Sequence, residues 1–478
     1  MAETPRISVA ALSGGAGKTI VSLGLARHWR KQGLTVKPYK KGPDYIDAVW
    51  LGRASGSRAT NLDPFFLDRD QLTHLFLTQY RSADIGLIEG NRGLFDGKDT
   101  DGSCSTAHLA RCLGSPILLI LNCTKMTRTA AAIVQGCSHF EEGLHIAGVV
   151  LNRTAGQRHR RILRQCIETY TDVPVLGALP KMEKAFIPER HMGLISDREF
   201  AAEEAIDECA RIIGEWIDTE AVLTAAGSAP RLEAQGSDPW QGIEAVGASE
   251  DIRIGVVRDA SLWFYYPENI EALERAGARI VEVSLLAGET WPEVHGLYLG
   301  GGFPETQAEE LAGNVAVRRF ISGLAERGLP IYAECGGLMY LCQTLVTQGS
   351  EQVFPMAGVF PLRSRLCQKP QGHGYTLTQV QEANPFHPLG LEFTGHEFHY
   401  SSCDILSGNN VTTCLRMLRG TGLGDLRDGL IYKNTFACYT HLHALSVPGW
   451  AGNFVRAAGA FKRAMASGQE ECPPLRAG

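Results

Sequence analysis

The chain has no surplus of positive charge and no run of lysine or arginine. Its 46 Lys and Arg are outnumbered by 52 Asp and Glu, for a net charge of -6 at pH 7. Release of counterions from a phosphate backbone needs the opposite balance, so a small-molecule function is expected, with no nucleic-acid partner. Long apolar runs are missing as well. The longest aliphatic stretch, Pro116 to Leu121, falls far short of the ~20 residues that cross a bilayer. The opening Met1-Ala2-Glu3-Thr4-Pro5-Arg6 lacks the basic-then-apolar pattern of a secretion signal, and a cytoplasmic protein without membrane association is expected. Cysteine pairing is absent too: the thirteen cysteines stand singly, with no Cys-x-x-Cys, and are expected to be reduced. Cys112, Cys123, Cys342 and Cys438 sit in apolar surroundings and read as small core residues. No internal repeat or long low-complexity tract appears.

What is present is enough for two or three cores: 478 residues, 44% of them hydrophobic. Arg6 to Ala11 is a short strand-like run into a glycine-rich loop, and Thr19 to Gln32 then shows helical spacing. Strands are expected at Asp84 to Ile88, Ser115 to Asn122 and Ala147 to Asn152, with a helix over Ser105 to Leu113. That alternation predicts an α/β domain, a mostly parallel sheet covered on both faces. Between about Thr219 and Asp251 the text turns rich in Ala, Gly, Ser and Gln, which reads as a linker. A second α/β pattern follows: strand Ile252 to Val257, helix Pro267 to Ala276, strands Ala278 to Val283 and Gly296 to Leu299. The expected divisions are 1–218, a linker over 219–250, a second domain over 251–464 and a flexible tail over 465–478.

The loop Gly14-Gly15-Ala16-Gly17-Lys18-Thr19 carries the chemistry of a phosphate site. Successive glycines let backbone N–H groups converge on phosphate oxygens, Lys18 adds a point charge, and Thr19 offers a hydroxyl to magnesium. Leu12 stands where the strict G-x-x-x-x-G-K-[ST] pattern has its first glycine. A nucleotide's magnesium wants hard oxygen ligands, which makes Asp44, in Lys40-Lys41-Gly42-Pro43-Asp44-Tyr45-Ile46-Asp47, and Glu89, where a buried strand ends, the candidate metal ligands beside Thr19. Asp47 and Asp96 read equally well as solvated loop charges.

Far downstream, Leu329-Pro330-Ile331-Tyr332-Ala333-Glu334-Cys335-Gly336-Gly337-Leu338-Met339 is a strand that stops at a cysteine before two glycines and a helix former. Such a turn exposes the sulfur and aims N–H groups at its adduct. A thiolate at neutral pH needs a base, and Thr435 to His443 reads as a short strand ending in His441 and His443. Gly300-Gly301-Gly302-Phe303-Pro304-Glu305 is a turn whose N–H groups could stabilise an oxyanion. His396 and His399 together with His441 and His443 invite a zinc reading, but their spacing fits no standard zinc pattern, so substrate contact or support of the base is expected.

These blocks, with Asn61-Leu62-Asp63, Gly93-Leu94-Phe95-Asp96-Gly97 and Gly395-His396-Glu397-Phe398-His399-Tyr400, resemble the signature blocks of the cobyrinate a,c-diamide synthases, in the family's order. The resemblance implies an N-terminal P-loop domain similar to dethiobiotin synthetase and a C-terminal class I glutamine amidotransferase domain of flavodoxin-like form. It implies that ATP and Mg2+ phosphorylate the a and c acetate carboxylates of a tetrapyrrole, and that ammonia from L-glutamine displaces the phosphate. Carried onto this chain, Cys335 is the glutaminase nucleophile and His441 its base. Gly14, Gly15, Gly17, Lys18 and Thr19 hold ATP, Asp44, Tyr45, Glu89 and Asp96 line the activation site, and Gly301 and Gly302 form the oxyanion loop. The family also suggests a homodimer.

Two departures from the family's pattern stand out. Glu89-Gly90-Asn91-Arg92-Gly93 replaces the usual Glu-Gly-Val-Met-Gly, so Arg92 could grip a further substrate carboxylate, and sirohydrochlorin or sirohaem becomes an alternative substrate. Many class I amidotransferases have Glu two residues after the catalytic His, where this chain has His443; the third member of a triad is left open, Glu397 being a weak candidate. A partitioning ATPase like ParA or MinD is the remote alternative, and it gives the Cys335 half no purpose.

Overall fold

The first sheet is built from seven strands buried at nearly every position, the mark of strands covered on both faces. They are β1 (Arg6–Ala11), β2 (Val36–Lys41), β3 (Thr60–Leu62), β4 (Ile85–Glu89), β5 (Ile117–Asn122), β6 (Ile146–Thr154) and β7 (Val175–Pro180). The structure, a computed structural model, describes residues 4–182, 189–190, 193–194, 202–236, 238–243, 245–246, 250–288, 291–349, 352–406, 408 and 410–477. Within it the chain divides into two units, Met1–Pro239 and Trp240–Gly478. All seven strands of this sheet are parallel, in the order β3-β2-β4-β1-β5-β6-β7. β1 is therefore central, and the chain leaving it crosses the carboxyl edge of the sheet, where ligands of open α/β sheets bind. There it enters helix α1 (Lys18–Lys31), which buries Val21, Leu25 and Trp29. Helix α2 (Tyr45–Ser55) starts where Asp44 caps it by accepting the Asp47 N–H at 3.0 Å. The expected α1 and β4 limits differ from those observed by one residue, within ordinary end fraying.

The largest sheet of the second unit has two halves. Its parallel half runs Ala278–Val283, Ile252–Val257, Gly296–Leu299, Ile331–Glu334, Thr435–Cys438. Antiparallel strands Arg427–Tyr432, Thr412–Arg419, Gly372–Val380, Glu392–His399 and His441–Leu442 continue it. The last of these follows Cys438 after only Tyr439 and Thr440, so the sheet curls until its final strand lies beside the end of Thr435–Cys438. Side chains from Leu297, Leu299, Ile331 and Ala333 join those of Leu324, Leu338 and Leu341 in the core beneath the cysteine turn.

Two expectations about the boundaries are corrected. Residues 219–227, expected in a linker, form a helix, Thr219–Gly227, capped by Asp218 and packed on the first sheet through buried Val222 and Ala226. The small residues that weaken its periodicity are the ones that let it approach closely. Residues 237, 244, 247–249 and 478 lie outside those described. The expected flexible tail instead begins with the end of helix Gly449–Ala466 and is then tied down by its own backbone. Cys472 N–H donates to the Arg327 carbonyl at 2.8 Å, Leu475 N–H to the Asn434 side chain at 2.7 Å, and Ala477 N–H to the Asn384 carbonyl at 2.8 Å. Backbone anchoring leaves no apolar period to read.

Candidate active sites

At the end of β1 the glycine loop turns in left-handed steps at Gly15 (φ 68°) and Gly17 (φ 102°), which only glycine makes freely. A methyl group built on Gly14 or Gly15 would meet nothing within 4 Å, whereas one on Gly17 would lie 2.4 Å from Asn152 Nδ2. The loop is thus open on one side and braced on the other, where Asn152 donates to the Ala16 carbonyl at 2.8 Å. Lys18 Nζ donates to the Ser13 carbonyl at 3.1 Å and the Arg92 carbonyl at 2.7 Å, which joins the loop to the segment after β4. Leu12 in place of the first motif glycine does not prevent this turn.

Beside it lies a buried charge cluster. Thr19 Oγ1 donates to Glu89 Oε1 at 2.8 Å, and Lys40 Nζ reaches the same oxygen at 2.8 Å, Asp47 Oδ2 at 2.6 Å and Asp44 Oδ2 at 3.6 Å. One lysine thus faces three carboxylates, leaving excess negative charge in a site where Lys40 and Glu89 are at most 1% exposed. Burial, reinforced by Asp47 and opposed by Lys40, pushes Asp44 up to about 7, and burial likewise raises Glu89. Glu89 Oε2 has no hydrogen-bond partner among the described residues. An orphaned carboxylate oxygen, a threonine hydroxyl and a surplus of negative charge fit a magnesium ion. No group of three or more His, Cys, Asp or Glu among the described residues would hold a metal alone, so nucleotide oxygens would have to complete the shell.

The structure brings Thr19, Asp44 and Glu89 together and starts α2 at the buried Tyr45. Arg92 and Asp96 are exposed in the loop after β4. Arg92 adopts φ 52°, and Asp96 Oδ2 accepts the Gly93 N–H at 3.0 Å. Lys40 was not singled out from the sequence. Its signal is a charged residue in a strand buried at every position, Val36–Lys41.

In the second unit, Ile331–Glu334 ends at Cys335, which adopts φ 46° and ψ -97° before helix Gly336–Leu341. That strained turn lifts the thiol off the carboxyl end of the sheet. Its neighbours have no room for side chains: a Cβ on Gly337 would lie 2.5 Å from the Leu299 carbonyl oxygen, and one on Gly336 2.9 Å from Gly302 N. Gly301 and Gly302 pair with Phe264 and Leu262, and a Cβ on Gly301 would lie 2.6 Å from His441 Cε1. The parallel register Glu334 with Cys438 puts the ends of both strands on one edge, and Cys335 N–H donates to the Cys438 carbonyl at 2.7 Å. The buried Asp428 carboxylate then accepts the Tyr439 and Thr440 N–H groups at 3.0 Å each, fixing the turn to His441. The cysteine turn, the Gly301-Gly302 strand and the His441 ring thus lie at one edge of the sheet. Burial, reinforced by the Glu305 and Glu334 charges, raises the Cys335 thiol, so forming a thiolate requires a base at hand.

His441 Nδ1 stands 3.2 Å from Glu334 Oε2, a contact the sequence did not disclose. Glu397, the weak candidate for that place, is engaged elsewhere: it accepts the Thr421 N–H at 2.6 Å and the Gly422 N–H at 2.8 Å, and lies 3.6 Å from His399 Nε2. His396 stacks on His441 with ring centroids 4.9 Å apart, while His443 lies 3.8 Å from Glu268 Oε2. Burial lowers both His396 and His443, the latter to about 3, so these two rings are neutral supports at pH 7.

A glycine loop before a helix in one unit and a cysteine at a strained strand-to-helix turn in the other fit a nucleotide-binding glutamine amidotransferase, a glutamine-hydrolysing ligase. Residues 7–195 match the model of the CobQ/CobB/MinD/ParA nucleotide binding domain, and residues 253–448 that of the CobB/CobQ-like glutamine amidotransferase domain. The chain is 38% identical over 464 residues to a cobyrinate a,c-diamide synthase of Magnetococcus marinus, covering 96% of this chain and 99% of that one. Proteins of the same name from Archaeoglobus fulgidus and Listeria innocua are each 37% identical, over 95% and 93% of this chain and 98% and 97% of theirs. The chain belongs to the cobyrinate a,c-diamide synthase family. Among the described residues no helix is long and apolar enough to cross a membrane.

Proposed function

We propose that the protein amidates the a and c acetate carboxylates of cobyrinate, using ATP, Mg2+ and L-glutamine. The similarity to proteins named for that reaction runs through both sites and 96% of the chain, and this observation carries the reading. In the second unit, His441 takes the Cys335 proton and the thiolate attacks the glutamine side-chain carbonyl. Gly301 and Gly302 N–H groups stabilise the oxyanion, and ammonia leaves with the proton returned by His441. Water hydrolyses the thioester to glutamate. In the first unit, the glycine loop and Lys18 hold the triphosphate. A substrate carboxylate oxygen attacks the γ-phosphorus to give an acyl phosphate and ADP, ammonia attacks the acyl carbon, and phosphate departs. Thr19, Asp44 and Glu89 would hold the magnesium ion, which neutralises phosphate charge. Lys40 keeps the three carboxylates in place and Tyr45 and Asp96 face substrate.

Arg92 favours a second reading, amidation of sirohydrochlorin or sirohaem by the same chemistry. An exposed guanidinium in the segment that meets Lys18 is suited to a further carboxylate. Mass spectrometry after separate incubation of cobyrinate, sirohydrochlorin and sirohaem with ATP, magnesium and glutamine decides between them. Two oxygen-to-NH exchanges on cobyrinate alone are expected, and amidation of either other macrocycle alone would replace the first reading with the second.

A further inference from the structure

His443 occupies the position where many class I amidotransferases place the acidic residue that orients the catalytic histidine. In this chain an acid reaches His441 from a different part of the sequence. Glu334, the residue before the nucleophile, is 0% exposed, with Oε2 3.2 Å from His441 Nδ1. Its carboxylate is itself fixed: Tyr298 Oη donates to Oε2 at 3.2 Å, and the Leu442 N–H to Oε1 at 3.3 Å. Asn269 extends the bracing, with Nδ2 3.2 Å from Tyr298 Oη and 3.1 Å from the Leu442 carbonyl, and Oδ1 accepting the Ala444 N–H at 2.7 Å. The backbone on both sides of His443 is thus gripped by the group that also bonds Tyr298.

We propose that Glu334 is the positioning residue of the glutaminase, the third member of a Cys335, His441, Glu334 triad in which nucleophile and acid are adjacent in sequence. This rests on the glutaminase reading above. A carboxylate on Nδ1 holds the proton there, leaves Nε2 as the basic nitrogen and stabilises the imidazolium formed when the thiol gives up its proton. The adjacency has a geometric basis. Glu334 is the last strand residue and Cys335 the first of the strained turn, so both stand at the sheet edge. The parallel neighbour Thr435–Cys438 delivers His441 to that edge. Other titratable groups near His441 include the neutral His396 ring stacked on it, with Tyr266 Oη 3.3 Å from His396 Nδ1, Tyr298 on the same Glu334 oxygen, and the His443 and Glu268 pair on the next turn of chain. Glu334 is the acid hydrogen-bonded to the base.

The test uses the full chain with Glu334→Gln and, separately, Tyr298→Phe. Glutamine hydrolysis, ammonium-supported amidation and the pH profile of kcat/KM for glutamine are measured. For Glu334→Gln, glutaminase kcat should fall at least about thirtyfold with KM for glutamine within about threefold of wild type, since a charge that acts in proton transfer is missing while glutamine contacts remain. The pH above which glutaminase activity develops should move downward, because the base loses the negative partner that favours its protonated form and the thiol loses a neighbouring charge that opposes its ionisation. Tyr298→Phe should give a smaller kcat loss in the same direction. Unchanged kcat and pH profile in Glu334→Gln would overturn the proposal, as would equal loss of the ammonium-supported reaction, which would make Glu334 a structural brace. If Glu334→Gln does not fold, an unaltered kcat and pH profile in Tyr298→Phe overturns it instead. Failure of the wild-type protein to release glutamate would sink the glutaminase reading, an outcome distinct from these.

Discussion

His387 shows how a single buried side chain sets a pH limit on the fold. Its ring is 1% exposed and stacked on Phe393 at 4.7 Å, and neither nitrogen has a hydrogen-bond partner among the described residues. Burial lowers it to about 3, as it does His443. The unfolded chain binds a proton near 6.5 that the folded chain refuses until about 3. The stability these rings allow is therefore fully present above ~6.5 and is lost as pH falls below it, by about 1.4 kcal/mol per pH unit for each ring. His387→Phe keeps an aromatic of similar shape beside Phe393 and Phe436 and removes one such proton. Denaturant unfolding at pH 7 and pH 5.5 should show a shallower loss for this variant, smaller by about 1.3 kcal/mol; an unchanged slope would show that the ring is not the acid-sensitive group. The same scale separates what the sequence disclosed from what it hid. Lys18, Thr19 and Cys335 stand in contiguous patterns whose chemistry is local. Lys40 and Glu334 act through partners on other strands, Glu89 on β4 and His441 beyond Cys438, and only strand register makes those pairs.

At the scale of elements, strand, turn and helix units were legible because a tight turn forces glycine and a buried strand forces apolar runs. The antiparallel strands from Gly372–Val380 to Arg427–Tyr432 did not announce themselves, since their alternating positions are half exposed and their order in the sheet, with Gly372–Val380 between Thr412–Arg419 and Glu392–His399, follows from distant pairing. The cysteine turn offers a sharp test of the local rule. Gly337→Ala would set a methyl carbon 2.5 Å from the Leu299 carbonyl oxygen and 2.7 Å from Leu299 Cβ, so helix Gly336–Leu341 or the strand beneath must shift. Because a misplacement of ~1 Å costs about a hundredfold in a positioned reaction, glutaminase kcat should fall by that order. A variant with full glutaminase activity would mean that the turn tolerates displacement and that its geometry does not set the rate.

At the scale of the whole molecule, the proposed reaction gives the two units half-reactions that share one small product, ammonia. A carboxylate does not react with ammonia until one oxygen becomes a leaving group, and an acyl phosphate left with water is hydrolysed. Carrying both chemistries on one chain raises the local supply of the nucleophile when the activated acid exists. The dependence is one-sided, because the first unit needs ammonia and not glutamine itself. Cys335→Ser should therefore lower glutamine-supported amidation at least about a hundredfold, serine being a far weaker nucleophile without a strong base. Amidation with ammonium salts should persist and should rise with pH as the free amine fraction grows. Product mass spectra with each nitrogen source separate the two routes. Loss of both activities in a folded variant would mean that Cys335 does more than release nitrogen, and would reject the assignment of the cysteine to the glutamine half-reaction alone.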